Sequence, residues 1–137
     1  MNNLKEIRWK QRFSNFEKAF KLYKEGLESL KDTSTDIEKE GIIQRFEYTF
    51  ELAWKTLKDY LEYGGITVNL PREIIKQSFS KGLIKDGDVW IDMLEKRNLI
   101  AHTYDDKNFK LVFDLIKGEY FKAIHQVFDY LFEKIKK

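Results

Sequence analysis

Four side chains that could do chemistry together stand close in one stretch, "KRNLIAHTYDD", from Lys96 to Asp106: Arg97, Asn98, His102 and Tyr104. Arginine offers a planar fork of donors that matches a phosphate, and histidine is the side chain best able to exchange a proton near neutral pH. Together they suit phosphodiester chemistry without a metal. His102 would move the proton, Arg97 would stabilise charge on the phosphate oxygens, and Asn98 could orient either one. On a helix, Asn98 and His102 lie four apart and share a face, while Arg97 stands about 140° round from the histidine, a gap its long side chain can bridge. Tyr104 returns to the arginine's face if the helix runs that far, although Asp105 and Asp106 suggest that the chain is leaving it. The same residues also suit a purely structural helix end. A cation and a histidine near a C-terminus interact favourably with the helix dipole, and Asn98 could bond to a neighbouring loop.

Other candidates are fewer. Glu47, Glu51 and Lys55 form a polar stripe at i, i+4 and i+8, which reads as a solvated face held by ion pairs and, secondarily, as a polar binding face. The one other histidine, His125, sits between Ile124 and Val127 on a strongly patterned helix and reads as structural. No metal site is expected: Asp105 and Asp106 beside His102 lack the ligand count, and no helical His-x-x-x-His pair exists. The segment "EYGGITVNL" has neither the glycine spacing nor the lysine of a phosphate-binding loop.

The elements that must position these residues read as helices. The apolar positions Trp9, Phe13, Phe16, Phe20, Tyr23, Leu27 and Leu30 alternate between spacings of three and four, one stripe of a first helix. "KDTSTD" breaks that pattern, and Thr35 or Asp36 can cap a second helix. Its stripe runs through Ile43, Phe46, Phe50, Ala53, Leu57 and Tyr60, widened by Trp54 and Leu61, until Gly64 and Gly65 stop it. Pro71 suits the first turn of a short third helix ending near Gly82. Asp86 or Asp88 should cap a fourth, from about Val89 to about His102. A long fifth is expected from near Asn108, burying Phe113, Ile116, Tyr120, Ile124, Val127, Leu131 and Ile135, with Gly118 as its weak point. The expectation is an all-α protein, an antiparallel up-and-down bundle of four or five helices with short loops, as a single domain over residues 1–137.

Composition agrees with that architecture. One proline and 7 glycines among 137 residues leave long helices uninterrupted, and 15% aromatic residues supply large side chains for their interfaces. The absence of cysteine removes thiol catalysis, thiolate metal sites and disulfides. With 25 Lys+Arg against 23 Asp+Glu, the net charge of +2 is far from the basic excess of a protein that grips long nucleic acid by phosphate neutralisation, so any RNA contact must be local. The polar N-terminus and the lack of a long apolar run point away from export and membrane insertion, and towards the cytoplasm.

Two segments together carry a family resemblance. "RNLIAHTY", from Arg97 to Tyr104, resembles the Arg-x4-His-x-Tyr motif of the HEPN superfamily of nucleotide-binding domains. "QRFEYTFELAWKTLKDYLEYGG", from Gln44 to Gly65, resembles the second helix of one branch, the nucleotidyltransferase substrate-binding protein family, and "GLIKDGDVWIDMLEKRN" from Gly82 to Asn98 fits it too. The resemblance covers roughly Phe13 to Leu131. It implies a homodimer that pairs with a separate minimal nucleotidyltransferase, no intrinsic cofactor, and ATP or AMP reaching the chain through that partner. It further implies similarity to toxin-antitoxin pairs in which the HEPN protein is a metal-independent ribonuclease. In such a pair Arg97 would polarise the scissile phosphate, Asn98 would be the polar residue that usually follows it, His102 would act as acid or base, and Tyr104 would accept AMP. Nucleotide on Tyr104 would block RNA by placing charge and bulk beside Arg97 and His102. One departure stands out: Leu70 precedes Pro71 where relatives tend to have a serine-like cap.

Overall fold

The computed structural model describes the backbone of residues 2–100 and 106–136, and the side chains of residues 3–97 and 108–136. Six helices make up the fold among these residues: α1 (Asn2–Glu28), α2 (Asp36–Tyr63), α3 (Pro71–Ser80), α4 (Gly87–Ile100), α5 (Asp106–Lys117) and α6 (Glu119–Lys136).

The first two form a long antiparallel hairpin, because each carries one continuous apolar stripe that finds its complement in the other. Trp9, Phe13, Phe16, Phe20 and Tyr23 of α1 are buried against Ile42, Ile43, Phe46, Phe50, Ala53 and Leu57 of α2. Polar contacts fix the register along the pair. Arg12 Nε lies 3.0 Å from the buried Asp59 carboxylate, Arg8 pairs with Glu62 at 3.5 Å, and Thr49 Oγ1 donates to the Ala19 carbonyl at 3.1 Å. Thr35 starts α2 with a capping box: its hydroxyl accepts from the Glu38 N–H, and the Glu38 carboxylate accepts from the Thr35 N–H. The helix ends as its glycines require. Gly65 takes the left-handed conformation (φ 94°), and the Ile66 N–H then returns to the Leu61 carbonyl at 2.9 Å.

α3 begins at Pro71 with no side-chain cap from Leu70, consistent with the poor capping residue there. α4 begins at Gly87, with the Asp86 carbonyl accepting from the Trp90 N–H. The single long last helix expected from the sequence is divided at Gly118. The Gly118 N–H is shared between the Asp114 and Leu115 carbonyls, and α6 restarts one residue later. Glycine is the ordinary residue least able to hold a helix, so the expected weak point is where the helix divides.

α6 runs antiparallel to α1 and fills the hairpin's open side with aromatic rings. Phe128 stacks on Phe20 at 4.7 Å between centroids and on Phe13 at 5.4 Å, and Phe121 stacks on Phe20 at 5.5 Å. The aromatic share of the sequence is spent on these offset contacts between helices. The result is the all-α antiparallel bundle that the apolar periodicity calls for.

Candidate functional site

Arg97 lies in the last turn of α4, and the position of that helix is set by what lies under it. Trp90 and Met93 are fully buried, with the Trp90 ring 5.9 Å from Phe50 of α2. On the side facing α6, the Asp92 carboxylate accepts from the Tyr120 hydroxyl at 2.5 Å through one oxygen and from Lys96 Nζ at 2.6 Å through the other. α4 is thus held from two directions, by apolar packing on α2 and a charge-assisted hydrogen bond to α6.

From that platform Arg97 reaches back to α2. Its Nη1 donates to Glu51 Oε1 at 2.8 Å, and each side chain is 35% exposed. Glu47 stands one turn earlier on the same face. Partial burial, and then the negative charge of Glu51, push its carboxyl above the usual carboxylate range. Gln44, Glu47, Tyr48 and Glu51 line a shallow depression of about 250 Å³. The Glu47, Glu51, Lys55 stripe is therefore organised differently from a face held by pairs along one helix. Glu51 finds its cation across the fold in Arg97, while the Lys55 ammonium lies 5.7 Å from the centre of the Trp54 ring.

The Tyr120, Asp92 and Lys96 cluster is absent from the sequence reading, which places Tyr120 only in the core. The i, i+4 spacing of Asp92 and Lys96 was the one available signal. Burial alone would raise the Asp92 pKa, but the hydrogen bonds from Lys96 and Tyr120 outweigh it, so its carboxyl sits below the usual range. Burial, reinforced by the bond to the Asp92 anion, raises the Tyr120 phenol far above its ordinary value.

Of the motif residues, Asn98 has its backbone within α4, while its side chain, His102 and Tyr104 lie outside the described residues. His125 is a half-exposed residue on α6, its Nε2 3.5 Å from Asp129 and its ring 5.3 Å from Phe20. A larger groove, about 860 Å³, separates the start of α2 from α5; among the described residues its lysines are matched one for one by carboxylates, so these offer no net charge to an anion.

A helical bundle with an arginine in the last turn of α4, at the head of an Arg-x4-His-x-Tyr sequence, has the organisation of a HEPN-type domain. The chain belongs to the family described as nucleotidyltransferase substrate binding protein like, whose pattern matches residues 11–133. A Haemophilus influenzae relative named probable ribonuclease HepT is 31% identical over 78 residues, 53% of each chain, so the chain spans about half the length of that curated relative. A crystal structure from Thermus thermophilus superposes with a TM-score of 0.76 at 31% identity, covering 85% of this chain and 98% of that one. A Haemophilus influenzae structure, described as revealing the fold of a substrate binding domain of a nucleotidyltransferase, gives a TM-score of 0.63 at 22% identity. It covers 96% of this chain and 98% of its own, and that likeness is one of fold. Among the described residues, no helix is long and apolar enough to cross a membrane.

Proposed function

We propose that the chain is a HEPN-type subunit that forms a homodimer and docks a separate minimal nucleotidyltransferase. It would either present nucleotide or nucleic acid to that partner or serve as its substrate through Tyr104. The observation that supports this most is Arg97, held in the last turn of a well-anchored helix at the head of the family's motif. Arg97 binds a phosphate through its donor fork, and Asn98 orients it. In the transfer, the Tyr104 phenol oxygen bonds to the α-phosphorus of ATP held by the partner, pyrophosphate leaves, and the phenol proton passes to a base, for which His102 is suited. The test is the intact mass of the chain after co-expression with the cognate nucleotidyltransferase. AMP increments that disappear in Tyr104→Phe are expected; an unmodified chain from a demonstrated complex would overturn the acceptor role.

The relative named probable ribonuclease HepT favours a second reading, a metal-independent endoribonuclease in a toxin-antitoxin pair. Here Arg97 holds the scissile phosphate and His102 moves the proton between the attacking ribose 2′-hydroxyl and the leaving oxygen. Cleavage of RNA in EDTA, lost in His102→Ala, is expected. Intact RNA after incubation with demonstrably dimeric wild-type protein would exclude it.

A further inference from the structure

The Glu51 carboxylate faces the Arg97 guanidinium, and Glu47 stands close enough on α2 to feel the charge of Glu51, so the carboxylates here oppose a bound phosphate rather than favouring it. If Glu51 serves an anion site, it must do so through geometry. That geometry is favourable. Glu51 sits on a stretch of α2 pinned on its inner face by the buried Phe50 and Ala53, so its carboxylate projects from a fixed backbone. Its flanking threonines, Thr49 and Thr56, are themselves buried and bonded to the carbonyls of Arg45 and Leu52. The contact to Arg97 uses one terminal nitrogen of a fork that carries five donors. A single contact of this kind holds one end of the guanidinium and engages only part of the fork.

We propose that Glu51 is a positioning residue for Arg97, its carboxylate holding the guanidinium from α2 in the orientation that receives a phosphate of nucleotide or RNA. This rests on the reading of Arg97 as a phosphate contact. An unrestrained arginine must give up its rotamer freedom when it binds, whereas one already held has given it up in folding, so losing the contact weakens binding by about fivefold.

Glutamine and alanine separate geometry from charge, because both remove the negative charge and only glutamine keeps an acceptor for Nη1. The experiment measures the affinity of a short fluorescein-labelled single-stranded RNA in EDTA by anisotropy. A His102→Ala background keeps the RNA intact, and thermal melts verify that each variant is folded. The expected result is that Arg97→Ala loses about tenfold or more, and that Glu51→Ala binds about fivefold more weakly than Glu51→Gln. Equal affinity for the two Glu51 variants, whether tighter than or equal to wild type, would overturn the positioning role and leave the reading of Arg97 standing. Unchanged binding in Arg97→Ala would overturn that reading and the positioning role with it.

Discussion

Tyr120→Phe removes one oxygen from the centre of the bundle and tests how α4 is held. The phenol ring is fully buried, and phenylalanine fills the same space, so the substitution leaves no cavity and isolates the hydrogen bond to Asp92. A hydrogen bond to a charged group contributes roughly 1.5–3 kcal/mol. The Asp92 side chain is 36% exposed and keeps Lys96 as a partner, so water and the ammonium recover part of the loss and the lower half of that range applies. We expect a destabilisation of about 1.5–2 kcal/mol, which for a domain of this size lowers the thermal midpoint by about 5–10 °C. The pH dependence adds a second constraint. The folded Asp92 carboxyl is depressed, so its contribution is complete above the ordinary carboxylate value of about 3.9 and is lost as pH falls through the folded one. The folded Tyr120 phenol is raised, so its contribution is complete below the unfolded value of about 10 and is lost as pH rises towards the folded one. Urea unfolding of both proteins across pH should therefore show a plateau difference near neutrality that narrows in acid. Equal stability on the plateau, or a gap that persists undiminished at about pH 2, would refute the role assigned to this cluster.

Three further outcomes are expected. Thr35→Ala removes the acceptor that opens α2 and should lower unfolding free energy by about 1 kcal/mol in urea titrations, with a normal circular dichroism spectrum in water. Gly65→Ala places a side chain on a left-handed residue (φ 94°) and should destabilise by about 1–2 kcal/mol, although nothing lies near the added carbon. Arg97→Lys keeps the charge but loses the planar fork, and should restore little of the RNA affinity lost in Arg97→Ala when measured by the same anisotropy assay.

Much of the fold is legible in the sequence, because helices announce themselves locally. The three-and-four spacing from Trp9 to Tyr23 and from Ile43 to Leu57 is satisfied by one geometry alone, and those residues are the buried ones. Thr35 and the paired glycines mark the ends of α2 for equally local reasons. The division at Gly118 shows where local reading weakens. The apolar stripe continues through it, and the interruption follows from one residue's poor helix propensity against that stripe.

The site is legible in a different measure. Residue type and spacing single out Arg97, and the family motif ties it to Asn98, His102 and Tyr104. What Arg97 touches is not legible, because Glu51 lies 46 positions away and a linear sequence offers Lys55 as its evident partner. Tyr120 is similarly ambiguous: its place on the stripe accounts for its ring, and only the crossing of α6 over α4 brings its hydroxyl to Asp92.

Both hidden contacts have the same physical origin. On α2, Phe50 and Glu51 are neighbours, about 100° apart round the helix, so one enters the core under Trp90 while the other meets Arg97. On α4, Trp90 and Met93 face inward while Asp92 turns towards α6 and Arg97 towards α2. The core contact between Phe50 and Trp90 therefore sets the distance over which Arg97 and Glu51 meet. A substitution that shifts α4 on α2 would move the guanidinium without touching it. Loss of function from core variants near Phe50 is accordingly expected to accompany loss of stability, whereas Glu51→Ala should separate the two, since its side chain contributes a half-exposed ion pair of about 0.2–1 kcal/mol and little packing.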